Sequence, residues 1–292
     1  MKLIVDSGST KTTWCILLPS SETFEVQTMG INPVRDDEHT LQTVIQEARA
    51  AIEAKVNGGQ TSSSKPETSF SQVHFYGAGC IPPYSATVCH ALEEAFPGAQ
   101  VSVESDLLGA ARALCGHSEG IACILGTGSN SCLYDGQRIV QNVSPLGWIL
   151  GDEGSGAVLG RMLVGDLLKG QLPAALREAF EARFQLTPAS IIESVYRQPL
   201  PNRFLASLVP FLAEHRSEAP VRDFLVREFR RFLSRNVASY ARHDLLVNFV
   251  GGVAYQFEDE LRTAVLLENF MMGRVERSPI GSMVHFHASE GF

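Results

Sequence analysis

A run of small and hydroxyl-bearing residues near the N-terminus could bind a phosphate. The apolar residues 3–5 lead into Asp6, then into a Ser-, Gly- and Thr-rich turn at residues 7–12, and a second apolar segment follows at 14–18. Such a turn directs backbone N–H groups and hydroxyls into one concavity, and an Asp at the strand end can hold a hydrated divalent cation. The pattern predicts a nucleotide-binding hairpin, although ordinary hairpins use the same residue types.

A second turn of this kind lies near the middle of the chain, at residues 126–130 (G-T-G-S-N). It also follows an apolar segment, and two further strand-like segments come after it. Strand, small-residue turn, returning strand and third strand thus occur twice, from residue 2 and from residue 120. The repeat predicts two domains of one architecture, at residues 1–113 and 114–292, which face each other across a nucleotide cleft.

Hydrophobic periodicity supplies the elements that position these turns. Strands and helices alternate in the first half, which indicates an α/β fold, with strands at 2–6, 13–18, 23–29, 72–77 and 101–104, helices at 39–55 and 84–95, and a polar surface loop at 58–66. The second half adds predicted helices at 152–169, 173–183, 188–197, 202–215 and 221–240. A buried strand at 245–250 then runs through Gly251 and Gly252 into a helix ending near residue 267, a junction that lets the backbone approach a flat ligand.

Composition excludes several classes of protein. The 292 residues are 45% hydrophobic and carry a net charge of −8, so no basic field would attract nucleic acid or an anionic bilayer. No apolar run approaches the roughly 18 residues of a membrane span, which predicts a cytoplasmic protein. The six cysteines form no metal-binding spacing, and those in strand-like runs are expected to be reduced and buried. His285 and His287 could chelate a metal or lie on one face of a C-terminal strand or loop.

In this order, the motifs resemble those of the sugar kinase, Hsp70 and actin superfamily, and within it the N-acetylglucosamine kinase branch of the BadF/BadG/BcrA/BcrD ATPases. The resemblance spans almost the whole chain. It is carried by residues 6–12 (D-S-G-S-T-K-T), 30–32 (G-I-N), 104–106 (E-S-D), 126–130 (G-T-G-S-N), 151–156 (G-D-E-G-S-G) and 251–253 (G-G-V). The resemblance implies two ribonuclease H-like (actin-like ATPase) domains, the second with helical insertions, around an interdomain nucleotide cleft.

The resemblance also implies transfer of a phosphoryl group from ATP to a sugar hydroxyl, which requires charge neutralisation at the phosphates and a base for the hydroxyl proton. Asp106 would be the catalytic base, unless it merely caps a helix, and Asp6 would hold Mg²⁺ through water. The nucleotide would be held by Asp6, Ser7, Gly8, Ser9, Thr10, Lys11, Gly126, Thr127, Gly128, Ser129, Gly251 and Gly252.

The implied substrate is an amino sugar, with N-acetylglucosamine favoured, and a homodimer is compatible with this reading. Asn32, Asn130, Asp152 and Glu153 are the candidates to bind it, because amides and carboxylates match the donors and acceptors of polyols. Simpler alternatives stay open: Asn32 could form a turn before a proline, Asp152 could cap a helix, and Glu153 could hold a metal.

Two departures from the family pattern limit these expectations. Ser7 and Ser9 replace glycines, which requires negative φ angles and hydroxyls directed at the anion. Pro145 and Leu146 stand at the second Gly and the Trp of the family's G-G-W-G, with Trp148 offset by two, so the sugar is less defined than the kinase activity. Three rivals remain: an ATPase activator of a dehydratase or reductase, a ROK-type glucokinase or repressor, and a nucleotide-binding regulator without catalysis. Walker A and Rossmann motifs are absent from the sequence.

Overall fold

The computed structural model describes residues 1–8, 10–56, 58 and 69–290. The chain divides into two compact units, of which the first comprises Met1–Gly116 with Pro279–Phe292 and the second His117–Ser278. The prediction that the second domain extends to residue 292 is therefore wrong at its C-terminal end. Ile280 and Met283 of the last helix pack in one apolar cluster with Ile4 of the first unit, which assigns that helix to it.

A mixed five-stranded sheet forms the centre of the first unit. Its strands, in the order β3-β2-β1-β4-β5, are β1 (Lys2–Ser7), β2 (Lys11–Leu17), β3 (Thr23–Met29), β4 (Gln72–Gly77) and β5 (Gln100–Ser105). β1 pairs antiparallel with β2 and parallel with β4, and β4 pairs parallel with β5. Leu3, Ile4 and Val5 are fully buried because β1 is central and helices cover both faces of the sheet.

Helices α1 (Glu38–Val56) and α2 (Ser85–Ala95) pack on one face of this sheet, together with Leu3, Val5 and Trp14. On the other face lie α3 (Asp106–Cys115) and the C-terminal helix (Ile280–Ser289). The predicted loop at 58–66 falls almost entirely outside the described residues.

The second unit repeats the sheet of the first. Its order is β10-β9-β6-β7-β8, formed by β6 (Glu119–Leu125), β7 (Ser129–Asp135), β8 (Ile139–Asn142), β9 (Leu246–Val250) and β10 (Met271–Glu276). β6 pairs antiparallel with β7 and parallel with β9, as β1 does with β2 and β4. The predicted duplication of one α/β architecture is confirmed.

The second unit carries the additional helices, several of which differ from the predicted bounds. They are α4 (Gly147–Leu150), α5 (Gly156–Leu168), α6 (Ala174–Phe184), α7 (Pro188–Tyr196), α8 (Pro201–Ala206), α9 (Pro210–Glu214), α10 (Ala219–Phe232), α11 (Gly252–Gln256) and α12 (Glu258–Leu267). The predicted helix at 152–169 begins only at Gly156, because Asp152 and Gly154 have φ angles of 51° and 73°. The predicted helix at 221–240 ends its α-helical part at Phe232 and continues as a π-helix (Leu233–Val237) and a 3₁₀ turn (Ala238–Tyr240).

Two sequence expectations about single residue types have clear outcomes. Cys15, Cys123 and Cys132 are buried free thiols, as predicted. The prediction that His285 and His287 share a face of a strand or loop is wrong, because both belong to the C-terminal helix, where residues two apart point to different sides. His285 is exposed and His287 is buried. No helix among the residues described above has the length and apolar character needed to cross a membrane.

His287 lies in a buried polar cluster of the first unit. Its Nε2 atom is 2.8 Å from the Tyr76 hydroxyl, and its Nδ1 atom is 2.8 Å from a carboxylate oxygen of Glu290. The ring stacks on His74 with centroids 3.9 Å apart, and Lys2 donates from Nζ to the His287 carbonyl oxygen. Burial, the largest cause, lowers the pKa of both histidines to about 4, with nearby positive charges adding to the effect.

We expect acid to destabilise the first unit through these histidines. A folded pKa of about 4 against 6.5 for an ordinary histidine means that the unfolded chain binds more protons between these values. The contribution of His287 to the free energy of unfolding should therefore be undiminished above pH 6.5 and fall toward pH 4, by about 3 kcal/mol. Two carboxyls of the same unit with raised pKa values, Asp6 and Asp106, titrate with the opposite sign, so this contribution is measured as the difference between the wild type and a variant without the buried ring. Urea unfolding between pH 4 and 7.5 measures this dependence.

The matched variants are His287→Gln, which removes the buried titrating group, and His39→Gln, which removes an exposed histidine of α1. Between pH 6.5 and 4 the first should gain stability relative to the wild type as the pH falls, and the second should keep a constant difference from it. Equal slopes for all three proteins would contradict the assignment.

Candidate active site

Two carboxylates lie near each other at the carboxyl-terminal ends of parallel strands in the first sheet. Asp6 lies near the end of β1, and Asp106 directly follows β5, with the parallel strand β4 between them. Burial raises the pKa of Asp6 to about 7, with the charge of Asp106 as the next cause and Lys11 opposing it. Burial likewise raises the pKa of Asp106 to about 6. Two partly buried acids this close favour a shared cation or proton, which suits metal binding and general base catalysis.

The capping alternative for Asp106 is not what the structure shows. The N-cap of α3 is Ser105, whose hydroxyl accepts a hydrogen bond from the Leu108 N–H over 3.2 Å. Asp106 is the first helical residue, and its Oδ1 atom accepts from the Leu107 N–H at 2.9 Å. Since Ser105 performs the capping, the Asp106 carboxylate is free of that role.

The first glycine turn has the predicted hairpin position but a different use of Ser7. Its hydroxyl is fully buried, 2.7 Å from Thr12 Oγ1, and it accepts from the Ile31 N–H. The expectation that this hydroxyl points at an anion is wrong, because the side chain ties β1 to the segment after β3. Gly8 closes the turn by donating to the Lys11 carbonyl, Thr10 and Lys11 are exposed, and Ser9 lies outside the described residues.

Asn32 forms the turn that its sequence context allowed. Its Oδ1 atom accepts from the Val34 N–H at 3.0 Å, and its backbone N–H donates to Asp36. The turn packs against Gly79, where a side chain would lie 2.5 Å from Asn32 Oδ1. The carbonyl half of the Asn32 amide is therefore committed to the turn, and only the NH₂ half is a candidate sugar ligand.

The G-T-G-S-N turn connects β6 and β7 in the second unit and anchors the start of α5. Gly126 and Thr127 accept backbone hydrogen bonds from Gly156 and Ala157, at 2.8 and 3.1 Å. Ser155 caps α5 by accepting from the Val158 N–H, so the proposed capping role of Asp152 is wrong. The G-T-G-S-N turn and the G-D-E-G-S-G segment are therefore joined by backbone hydrogen bonds into one structural feature.

Asp152 is held over this turn. A side chain at Gly128 would lie 3.1 Å from Asp152 Oδ2, and backbone N–H groups of Ser129 and Gly147 hydrogen-bond to the carboxylate. Burial nonetheless raises the pKa of Asp152 to about 6. A partly buried carboxylate beside the turn can accept hydrogen bonds from a polyol.

Glu153 has a different environment from Asp152, although the two are adjacent. Its side chain is 6% exposed, and its two oxygens accept from Arg235 Nε at 2.5 Å and from Asn236 Nδ2 at 3.3 Å. Both partners belong to the π-helix, a distortion often found at functional sites. The geometry thus makes Glu153 a structural tie between the G-D-E-G-S-G segment and the π-helix, and its assignment as a sugar or metal ligand stays a prediction.

Asn130 is also engaged within the second unit. Its Oδ1 atom accepts from the Ser131 N–H and from Asn142 Nδ2, each at 2.9 Å. These bonds fix the side chain between β7 and β8 and leave the Asn130 NH₂ group as its candidate contact to a sugar.

A groove of about 690 Å³ adjoins the G-T-G-S-N turn within the second unit. Glycine and apolar residues form most of its lining, among them Gly126, Gly156, Val209, Pro210, Ala213 and Gly252, and Thr127, Glu214 and Gln256 add polar groups. Gly251 precedes it with φ 124°, a conformation that requires glycine, and its missing side chain allows close contact with the Leu125 carbonyl. A groove lined mainly by glycine and apolar residues, with a few polar groups, suits a nucleoside.

Sequence reasoning found Gly251 and Gly252 but missed Val209, Pro210, Ala213, Arg235 and Asn236. The first three lie in or beside α9, far from any motif along the chain, and have no composition that signals a ligand. Arg235 and Asn236 follow several other charged and polar residues of an amphipathic helical pattern, so no local signal distinguishes them.

The neighbours Asp152 and Glu153 should respond differently to isosteric amide substitution. Glu153→Gln should lower the free energy of unfolding by about 2 kcal/mol, because it weakens the charge-assisted bond from Arg235. Asp152→Asn should leave stability unchanged or raise it, because burial disfavours that charge. Urea unfolding at pH 7.5 measures both. Equal destabilisation by the two variants would contradict the division into a structural and a ligand-binding carboxylate.

No protein-family model matches the chain, and a search of proteins with curated functions found no match. Solved structures do match. A proposed N-acetylglucosamine kinase from Porphyromonas gingivalis is 47% identical over 100% of both chains, with a TM-score of 0.92. A second proposed N-acetylglucosamine kinase, from Chromobacterium violaceum, is 17% identical over 98% of both chains, with a TM-score of 0.63.

A ROK family glucokinase from Streptomyces griseus, solved with glucose and AMPPNP, is 17% identical over 98% of both chains, with a TM-score of 0.51. The two more distant structures show the shared two-domain α/β fold. The similarity to the Porphyromonas protein goes further, since it extends over the whole of both chains at high identity. The chain therefore belongs to the same family as that protein, the proposed N-acetylglucosamine kinases.

Proposed function

We propose that this protein is an ATP-dependent kinase that phosphorylates a hydroxyl group of an amino sugar, with N-acetylglucosamine to N-acetylglucosamine 6-phosphate as the first candidate reaction. The carboxylate pair of Asp6 and Asp106, at one edge of the first sheet and with raised pKa values, carries this proposal. Phosphoryl transfer to an alcohol needs a cation site and a base side by side, and this pair offers both.

The nucleotide part of the proposal rests on the second unit. The groove beside Gly252 would hold the nucleoside, and the backbone N–H groups of Thr127 and Gly128 in the adjoining turn would bind its phosphates. The Gly126 N–H donates within the turn to the Gly128 carbonyl, and the Ser129 N–H donates to Asp152. Gly8, Ser9, Thr10 and Lys11 are the corresponding phosphate candidates of the first unit. The related glucokinase fold with AMPPNP supports ATP as the donor.

Asp6 would hold Mg²⁺. The site fits a hard divalent cation, because a partly buried carboxylate beside a second acid gains from a positive charge, and oxygen donors are what Mg²⁺ prefers. When bound, the cation would neutralise charge on the phosphates.

Asp106 would accept the proton of the attacking sugar hydroxyl. It must be ionised to do so, and burial brings its pKa to about 6, which makes the carboxylate a stronger base while leaving it ionised at pH 7. The carboxylate of Asp152 and the amide groups of Asn32 and Asn130 would orient the sugar through hydrogen bonds. Leu146, which departs from the family pattern, has a side chain that is 60% exposed and a φ angle of 61°.

An iron-sulfur ATPase activator fits this chain less well. Cluster ligation needs thiolates accessible to a shared cluster. Cys15, Cys80, Cys123 and Cys132 are buried, and burial raises the pKa of Cys15 to about 11 and that of Cys80 to about 12. Cys89 and Cys115 are half-buried, and partial burial with the neighbouring Glu93 raises the pKa of Cys89, which disfavours its thiolate.

An ADP-release assay over a panel of amino sugars tests the proposal. The wild type with ATP and Mg²⁺ should release ADP with N-acetylglucosamine and little without sugar, and EDTA should abolish the release.

Asp106→Asn should lower kcat at least 1000-fold while ATP affinity changes by less than about threefold, because the amide keeps the shape but cannot accept the proton. Sugar-independent ADP release, or none with any sugar, would contradict a sugar kinase; full activity of Asp106→Asn would remove it as base.

Filling the groove should weaken nucleotide binding selectively. Ala213→Trp is expected to raise the KM for ATP at least tenfold, because the indole occupies the space assigned to the nucleoside, while the KM for the sugar stays within about twofold. Ala175→Trp, at an exposed position of α6, is the matched control and should leave both constants unchanged. An unchanged KM for ATP in Ala213→Trp would place the nucleoside elsewhere.

A further inference from the structure

A chain of buried and partly buried hydrogen bonds links the C-terminal helix to α3, the helix that begins at Asp106. Arg112 of α3 donates from NH1 to the Tyr76 hydroxyl over 2.6 Å. That hydroxyl is 2.8 Å from His287 Nε2, and His287 Nδ1 is 2.8 Å from Glu290. Three elements of the first unit, β4, α3 and the C-terminal helix, therefore meet at one oxygen atom.

The protons of this chain can be assigned from its chemistry. An ionised Glu290 carboxylate only accepts, so Nδ1 of a neutral His287 carries the hydrogen and Nε2 accepts from the Tyr76 hydroxyl. The Tyr76 oxygen in turn accepts from Arg112, and burial raises the pKa of Tyr76 to about 12, so the phenol remains protonated. Each donor thus has one acceptor, and the hydrogen bonds run in a single direction from Arg112 to Glu290.

Tyr76 also supports α3 through its ring. The side chain is 1% exposed, and a side chain at Gly109 would lie 2.8 Å from the ring carbon Cγ, so the helix backbone lies directly on the ring. Tyr76 is at the same time the β-sheet register partner of Asp6. One residue is therefore adjacent to the strand that carries Asp6 and beneath the helix that presents Asp106.

We propose that Tyr76, held by Arg112 and His287, is a positioning residue that fixes α3 so that the Asp106 carboxylate keeps its place relative to Asp6. The C-terminal helix thereby contributes to catalysis, although none of its residues belongs to a kinase motif. This inference rests on the proposed role of Asp106. The contacts of Tyr76 with α3 and His287 do not depend on that role.

Tyr76→Phe removes the hydroxyl and keeps the ring under Gly109. We expect kcat to fall about tenfold, because displacements well below 1 Å at the base already slow proton transfer, while the KM values for sugar and ATP stay within about twofold. Thr28→Val is the control: it removes a hydroxyl that accepts from Trp14 Nε1, a hydrogen bond of the same sheet remote from α3, and it should leave kcat unchanged. An unchanged kcat in Tyr76→Phe would overturn the inference while leaving the kinase proposal intact.

A double-mutant cycle and an exchange measurement separate the link from general destabilisation. If Tyr76 and His287 act through one hydrogen bond, Tyr76→Phe combined with His287→Ala should lower kcat no further than the stronger single variant. Amide hydrogen exchange of α3 (Asp106–Cys115) should be faster in Tyr76→Phe than in Thr28→Val. Additive losses of kcat, or unchanged exchange, would contradict the link. If the wild type proves to be no kinase, the exchange result still tests whether Tyr76 holds α3.

Discussion

Electrostatic repulsion between two partly buried carboxylates is the unfavourable interaction that the structure of the first unit must offset. Asp6 and Asp106 lose solvation at the edge of a sheet, and the charge of Asp106 further raises the pKa of Asp6. A fold holds such a pair only if the surrounding structure is stable enough to offset the unfavourable electrostatics. The buried strand β1 and the helices on both faces provide that stability, and a cation held by Asp6 would relieve the repulsion.

The second unit uses the same sheet topology for a different purpose. Where the first unit presents acids at the end of its strands, the second presents a glycine turn, a smooth groove and one carboxylate, Asp152, held by backbone N–H groups. Glu153 stabilises this arrangement by accepting hydrogen bonds from Arg235 and Asn236 of the π-helix. The duplicated fold thus supplies two equivalent frameworks, and the residues at the strand ends determine what each can bind.

Side chains of the first unit illustrate how a motif residue and its role can separate. Ser7 belongs to the phosphate-loop pattern, yet its hydroxyl is buried against Thr12 and Ile31. Tyr76 and His287 belong to no motif, yet they connect the helix that begins at Asp106 with the end of the chain. Membership of a motif fixes where the backbone turns, while the hydrogen-bond partners decide what each side chain can do.

The sequence by itself determined the α/β class, the duplicated strand–turn–strand pattern and the positions of the glycine turns. These features depend on hydrophobic periodicity and on local backbone preferences, which neighbouring residues set. Only the tertiary structure decided that residues 279–292 join the first unit, that Glu153 faces Arg235 while Asp152 faces the turn, and that Val209 and Ala213 line the groove. Such contacts join residues far apart in the chain, and their geometry depends on packing and burial that no local pattern encodes.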